Sequence, residues 1–273
     1  MLFCYPIDAT QDNWLHECLV EILQNALQAL NAGCAPVPWP DCIPAVHRER
    51  LRARTGLKDR LQAFLTAAAL LSKTNRNSIM EAITSENNFP AAFDGQTTCI
   101  CCDQMPGAIR TAAIELARFE FSLLTELGLR DKHYRMIYEK IPNRLCPFCG
   151  CEYFDAPDAP RHDLDHYLPI SQYPFAGANL KNLVPAGDRC NSAYKRDADI
   201  LLGTNGKRRA CFDPYGDRSA CVSLLASRPF ARHYGRLPEW EVDLGNTPEA
   251  ATWDTVWRIK ERYKRDVLDA EYT

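Results

Sequence analysis

The stretch from residue 146 to residue 195 concentrates residue types that can carry out metal-dependent chemistry. It contains, in order, Cys-x-x-Cys, Asp-His-x-x-Pro, Asn-Leu-Val-Pro and Cys-Asn-x-x-x-Lys. The residues of interest in these sequences are Cys146, Cys149, Asp165, His166, Asn182, Cys190, Asn191 and Lys195. A single Asp-His dipeptide is common and usually lies in a solvated loop. The prediction therefore depends on the four sequences occurring together in this order.

The chemistry that these residues favour is metal-dependent hydrolysis, for example that of a phosphodiester. That reaction needs a base for a nucleophilic water and a cation for the phosphate charge, and an imidazole such as His166 with a divalent ion supplies both. The carboxylate of Asp165 and the amide oxygen of Asn191 are suitable ligands for Mg²⁺ or Mn²⁺. Neighbouring residues on a strand point to opposite faces, so Asp165 and His166 can serve one site only where the strand bends or ends. We expect a distorted hairpin there.

The same segment resembles the HNH endonucleases, the ββα-metal or His-Me finger family. The resemblance covers residues 146–195 and extends more weakly to Cys-Phe-Asp-Pro-Tyr-Gly-Asp at residues 211–217. It implies a nuclease module in which His166 is the general base and Asp165 and Asn191 hold the catalytic ion. It also implies that Asn182 braces the hairpin that aims His166.

Within that family, the chain is most similar to the PtuB-type nucleases of bacterial anti-phage defence, found in Septu and in some retrons. The sequences that carry this similarity are Asp-His-Tyr-Leu-Pro, Gln-Tyr-Pro, Asn-Leu-Val-Pro and Pro-Tyr-Gly-Asp. Such nucleases often have His before Pro-Tyr, where this chain has Asp213. The resemblance implies cleavage of nucleic acid, most readily DNA, together with a protein partner such as an operon-encoded ATPase and no membrane contact.

Two other functions remain open. The module could be a zinc-stabilised nucleic-acid-binding or adaptor domain that is inactive outside a complex. It could also be an HNH toxin that an immunity protein controls, although the chain shows no export signal.

Many HNH modules hold the hairpin to the helix with a structural zinc ion bound by two Cys-x-x-Cys pairs. Three of those places are filled here by Cys146, Cys149 and Cys190. The fourth place is Gly187, so either Cys151 or Cys211 completes the site, with Asp188 less favoured, or the site is empty. Outside this segment lie further cysteines and histidines, for which buried or surface positions are favoured over metal binding: Cys99, Cys101, Cys102, His16, His133 and His162.

Charge is unevenly distributed along the chain, whose net charge is −3. Residues 1–46 have five acidic and no basic residues, whereas residues 189–236 have ten basic and four acidic ones. A polyanion would prefer the second region. Contacts to phosphates are therefore predicted for Lys195, Arg196, Lys207, Arg208 and Arg209, with a solvated basic face as the alternative.

The elements that must position these residues follow from periodicity. Apolar residues recur at helical spacing from Trp14 to Leu30, with Asp12 or Asn13 as the cap and Gly33 at the end, and again over residues 57–71 and 108–127. A proline-rich connector joins the first two helices. Thr247-Pro248-Glu249 predicts the start of a last helix, which we expect to pack on the first region.

Together these patterns predict an α+β protein that is predominantly helical. Residues 1–141 form a helical region for partner docking or regulation, residues 142–236 the nuclease module, and residues 237–273 a C-terminal helical segment packed on the rest. The 273 residues can bury a sizeable core, and 46% of them are hydrophobic. The 13 cysteines, an odd number without an export signal, favour reduced thiols and a cytoplasmic location.

Overall fold

The computed structural model describes residues 1–159, 164–228 and 239–270. Over these residues the chain is predominantly helical with one two-stranded antiparallel sheet, which confirms the predicted α+β class. The elements are α1 (Trp14–Asn31), α2 (Ala45–Leu51), α3 (Thr55–Ala69), α4 (Lys73–Glu86), α5 (Gly107–Glu126), α6 (Leu129–Lys140), β1 (Leu164–His166), β2 (Leu183–Pro185), a π-helical segment (Arg189–Lys195), α7 (Pro248–Trp257), α8 (Ile259–Arg262) and a second π-helical segment (Tyr263–Leu268).

The first predicted helix is α1, and its ends follow the predicted signals. It begins after Asn13 and ends shortly before Gly33, whose φ of +74° suits glycine. The side chain of Asn13 does not cap the helix but bonds instead to the loop around Leu180. The other two long helices predicted from periodicity correspond to α3 and α5.

Two hydrophobic clusters form the core, and each draws on both sides of residue 142. One combines α1 and α3–α6 with Leu164 and Leu183, which lie on the two strands. The other combines Met1 and Tyr5 with residues of the 146–259 part of the chain. The chain does turn at Pro142–Arg144, where the boundary is predicted, but the two regions share their cores. The boundary predicted between residues 236 and 237 lies outside the described residues.

The last predicted helix is α7. Thr247 Oγ1 accepts a hydrogen bond from Ala250 N at 3.2 Å, and α7 ends at Trp257 because Arg258 adopts a φ of +53°. Trp253 Nε1 donates to the carbonyl of Phe148 at 3.0 Å, and Trp257 stacks on the same ring with centroids 4.6 Å apart. The helix therefore packs on the 142–236 part through Phe148, in the same hydrophobic cluster as Met1 and Tyr5 of the first region.

The two short strands pair antiparallel, and the π-helical segment follows β2 in the chain. The register of β1 and β2 pairs Asp165 with Val184 and His166 with Leu183. Each strand is three residues long. Because β1 ends at His166, Asp165 and His166 are not bound to opposite faces of a continuing strand and can serve one site. Among the described residues, no helix is both long and apolar enough to cross a membrane.

Candidate functional site

The carboxylate of Asp165 meets a buried ammonium at the end of β1. Lys195 Nζ lies 3.2 Å from Asp165 Oδ1 and 3.0 Å from Oδ2, and it donates to the carbonyl of His166 at 2.7 Å. Lys195 is only 1% exposed. Burial raises the pKa of Asp165 above its usual value, and the charge of Lys195 opposes that shift. Lys195, which was predicted to contact phosphate, is thus a buried partner of Asp165 instead.

The ring of His166 is fixed by one hydrogen bond. His166 Nε2 lies 2.9 Å from the carbonyl oxygen of Gly177. A carbonyl oxygen can only accept, so Nε2 carries the hydrogen and Nδ1 keeps the lone pair of the neutral ring. The ring of Phe121 packs against the imidazole with centroids 4.3 Å apart. Burial lowers the pKa of His166 to about 3, so the ring is neutral at neutral pH.

Asn182 is the last residue of the connection between the strands and is fully buried. Its Oδ1 accepts from Leu168 N at 2.7 Å, while Nδ2 donates to the carbonyls of Leu168 at 3.0 Å and Ala176 at 3.1 Å. Its backbone carbonyl accepts from Tyr167 N at 2.9 Å. These bonds hold both ends of the connection that carries Gly177, and so hold the acceptor of His166.

Residues of the helical region also hold this connection, and no sequence pattern indicated these contacts. Asn13 Oδ1 accepts from Leu180 N at 2.9 Å, and Asn179 Nδ2 donates to Asn87 Oδ1 at 2.9 Å. Glu86 on α4 bonds to the same connection. Asn and Glu residues on long helices are generally solvated, so only the tertiary contact reveals these positions.

Asn191, the second predicted ligand of the catalytic ion, lies on the same π-helical segment as Lys195. Its carbonyl accepts from Arg196 N at 2.7 Å, an i→i+5 bond. The spacing places Asn191 roughly one turn before Lys195 and on a similar face of the segment. Its side chain is half-buried.

The remaining predicted phosphate contacts divide into two groups. Arg196 and Lys207 are exposed. In contrast, Arg208 Nη2 donates to the carbonyls of Ala92 at 2.6 Å and Thr97 at 3.1 Å, and Arg209 Nη2 donates to the carbonyl of Asp199. The guanidinium groups of Arg208 and Arg209 therefore bind backbone carbonyls of their own chain.

Three predicted zinc ligands come together. The Sγ atoms of Cys146, Cys149 and Cys190 are buried and lie within 4.8 Å of one another, so they could hold a metal ion. Burial raises the pKa of Cys146 to about 12, whereas hydrogen bonds from neighbouring thiols, Cys146 first, lower the pKa of Cys149. The backbone N–H of Gly187 donates to Cys146 Sγ at 3.3 Å, and such bonds favour thiolate ligands.

Neither predicted substitute for the fourth ligand belongs to this group. Cys151 is exposed and its Sγ points to the carbonyl of Cys149, 3.2 Å away. Cys211 Sγ lies against the carbonyl of Ile200, 3.5 Å away.

Within the described ranges, the remaining cysteines and histidines that the sequence analysis named are not part of the three-thiol group. In the part of the chain that is described, the second cysteine cluster forms no metal-suited group, and its members are buried thiols: Cys99, Cys101 and Cys102. His16 and His133 are buried on α1 and α6. His162 lies outside the described residues.

No protein-family model matches this chain, no curated protein matches it, and no solved structure matches it.

Proposed function

We propose that this chain is a metal-dependent HNH-type endonuclease that hydrolyses phosphodiester bonds, with DNA as its substrate. The observation that carries the proposal is the hydrogen bond from His166 Nε2 to Gly177, which leaves Nδ1 as the proton acceptor. This imidazole follows Asp165 directly at the end of β1, and Lys195 on the π-helical segment contacts both residues.

In the proposed reaction, His166 Nδ1 takes a proton from the water that attacks the phosphorus atom. The ring is neutral and can accept this proton, but burial lowers its pKa to about 3 and so weakens it as a base in the absence of substrate. Asn182 keeps the connection that carries Gly177 in place, and therefore keeps the ring orientation. A base that is already oriented loses little free energy to ordering when the substrate binds.

The donor types at this site, a carboxylate and an amide oxygen, suit a hard divalent cation. Asp165 Oδ2 is buried and pairs with Lys195 Nζ, 3.0 Å away, and no other donor among the described residues bonds to it. Asp165 and Asn191 would supply carboxylate and amide oxygens to Mg²⁺ or Mn²⁺. When bound, the ion would stabilise negative charge on the phosphate and on the leaving oxygen.

A second metal role belongs to the thiols. We propose that Cys146, Cys149 and Cys190 bind a structural zinc ion, because three buried sulfur ligands suit zinc better than a hard cation. The site would tie the loop before β1 to the π-helical segment after β2. It would thereby hold together the elements that carry Asp165 and Lys195.

The biological role follows from the sequence resemblance alone. We propose a nuclease effector of a bacterial anti-phage defence complex with a protein partner such as an ATPase. One observation favours the alternative, an adaptor module that is inactive outside a complex. The ammonium of Lys195 already neutralises the carboxylate of Asp165. In the isolated protein, a catalytic cation would therefore have to compete with Lys195 for this ligand.

The test is a cleavage assay on plasmid, single-stranded DNA and RNA with Mg²⁺, with Mn²⁺ and with EDTA. We expect cleavage by the wild type to be lost in EDTA and in His166→Ala and Asp165→Ala. It should persist in the controls His47→Ala, on α2, and Asp188→Ala, an exposed position. Cleavage that survives EDTA or either substitution would contradict the assignment. Nucleic-acid binding without cleavage under any condition would support the adaptor.

A further inference from the structure

A fourth potential ligand lies beside the three thiols. Glu152 Oε1 is 3.7 Å from Cys149 Sγ and 3.8 Å from Cys190 Sγ. In a tetrahedral zinc site with Zn–S of about 2.3 Å and Zn–O of about 2.0–2.2 Å, a sulfur and an oxygen ligand are roughly 3.5–3.7 Å apart. The distances to Cys149 and Cys190 are therefore close to those that a shared zinc ion requires. The atoms that lie within 4.8 Å of one another are the three thiols without this carboxylate, so Glu152 must move toward Cys146 to complete the shell.

The carboxylate of Glu152 also fills the space that a side chain at residue 187 would need. A Cβ atom built on Gly187 would lie 2.5 Å from both Cδ and Oε2 of Glu152. Residue 187 precedes Cys190 by three, the spacing at which a second Cys-x-x-Cys pair would supply its first thiolate. The carboxylate of Glu152 thus lies where the side chain of a cysteine at residue 187 would lie.

We propose that Glu152 is the fourth ligand of a Cys₃Glu zinc site formed with Cys146, Cys149 and Cys190. The inference rests on the structural zinc proposed above and does not depend on nuclease activity. Glu152 Oε2 accepts a hydrogen bond from Arg189 N at 3.2 Å. This bond orients the carboxylate and leaves Oε1, the atom nearest the thiols, to bind the ion.

Arg262 offsets part of the charge of such a site. Three thiolates and a carboxylate around Zn²⁺ leave a net charge of −2. Arg262 is buried, with Nη1 3.2 Å from Cys190 Sγ and Nη2 3.5 Å from Glu152 Oε1. Its guanidinium stacks over Tyr194 at 4.3 Å from the ring centroid. A cation fixed in this way favours the ionised ligands and lowers the cost of burying them.

The first test uses the wild-type protein and needs no variant. Metal analysis should find one zinc ion per chain. X-ray absorption at the zinc edge should fit three sulfur atoms and one oxygen or nitrogen atom. A protein purified without zinc that does not take it up, or a shell of four sulfur atoms, would overturn the inference.

The second test compares matched substitutions. Glu152→Gln should lower zinc affinity at least ~10-fold in competition with a chromophoric chelator, since even outer-shell partners of a metal contribute that much. Asp188→Asn removes an exposed carboxylate from the same turn as Cys190 and should leave the affinity unchanged. Equal affinity in the wild type and Glu152→Gln would remove Glu152 from the site.

A rescue experiment separates ligation from a merely structural role. Gly187→Cys alone should be destabilised by the clash with Glu152. Glu152→Ala combined with Gly187→Cys should bind zinc through four sulfur atoms, and Co²⁺ in that variant should show stronger thiolate charge-transfer absorption than in the wild type. A soluble double variant that binds no zinc would overturn the inference, and if it does not fold, the wild-type absorption fit decides.

These measurements also separate the zinc site from the nuclease. Wild-type protein with a shell of three sulfur atoms and one oxygen atom but without cleavage would support the zinc site and contradict the nuclease. Cleavage by a protein that contains no zinc would support the nuclease and contradict the zinc site.

Discussion

The buried carboxylate of Glu86 accepts a hydrogen bond from the backbone N–H of Phe175, with 2.7 Å between Oε2 and N. Phe175 lies two residues before Gly177, whose carbonyl oxygen is the partner of His166 Nε2. Asn87 Nδ2 donates to the carbonyl of Phe175 at 2.9 Å, so α4 and the residue after it hold this turn by both backbone groups. The N-terminal helical region therefore fixes the turn that orients the candidate base.

The contact of Glu86 predicts an asymmetry between two substitutions. Burial raises the pKa of Glu86 well above its usual value, so Glu86→Gln resembles the protonated side chain and should change the free energy of unfolding by less than about 1 kcal/mol. Glu86→Ala leaves the N–H of Phe175 unpaired and should cost about 1–3 kcal/mol. Urea unfolding measures both values. Equal losses in the two variants would contradict the contact.

Cleavage provides a second measurement of the same contact. Under the proposed function, Glu86→Ala should lower kcat because the carbonyl of Gly177 is no longer held, while Glu86→Gln should keep most of it. The exposed Glu81 lies on the same helix, and Glu81→Ala is the matched control.

The ion pair of Lys195 and Asp165 predicts a dependence of stability on divalent cations. Lys195→Met leaves a buried carboxylate without its cation, which should cost about 3–5 kcal/mol in EDTA. Mg²⁺ should then raise the Tm of this variant more than that of the wild type, because the ion can pair with Asp165 in place of the ammonium. Thermal unfolding with and without Mg²⁺, with Lys207→Met as the control, tests this. Equal shifts in all three proteins would argue against a cation site at Asp165.

The elements that could be predicted from the sequence are those with a local signal. Periodicity and end signals placed α1, α3, α5 and the start of α7. The helices α2, α4 and α6 were not predicted individually, because they are shorter and α4 and α6 are more polar, so their apolar faces are less evident.

Two residues at the candidate site show why the rest could not be predicted. Most lysines are exposed, so Lys195 at the end of a helix predicts a surface position, and only the fold buries it against Asp165. Glu152 belongs to no motif. Glu152 can contact the thiols only because residue 187, which follows β2, is a glycine and leaves space for the carboxylate. Such pairings are set by tertiary structure and carry no local periodicity.

Lys207 and Arg208 are neighbours for which the structure predicts opposite effects. Arg208→Gln removes the donors to the carbonyls of Ala92 and Thr97 and should cost about 1–3 kcal/mol of stability. Lys207→Gln, at an exposed position, should leave stability unchanged. If Lys207 contacts a phosphate, its loss should reduce the slope of log K against log salt by about 0.9.

Thermal unfolding and fluorescence anisotropy with labelled DNA over a series of NaCl concentrations separate the two effects. A stable Arg208→Gln protein would show that its bonds to the carbonyls contribute little. An unchanged salt slope in Lys207→Gln would assign that side chain to the solvated surface.

A last prediction concerns the buried Glu120 on α5. Burial raises its pKa from 4.5 to about 8, so the folded protein keeps this proton up to about pH 8, whereas the unfolded chain releases it above about pH 4.5. Unfolding therefore releases a proton in this window, and raising the pH favours the unfolded state. The wild type should lose up to ~1.4 kcal/mol per pH unit relative to Glu120→Gln between those pH values.

Urea unfolding of both proteins at several pH values from 5 to 9 measures this difference. The buried His16, whose pKa is lowered to about 4 by burial, destabilises the fold in acid, but it does so in both proteins and cancels in the comparison. Glu115→Gln, at an exposed position on the same helix, should show a difference from the wild type that does not vary with pH. Because the protonated carboxyl and the amide are similar in shape and charge, Glu120→Gln should match the wild type near pH 5 and exceed it above pH 8. A constant difference across the range would mean that Glu120 titrates near its ordinary pKa and that its surroundings are more polar than the packing of α5 indicates.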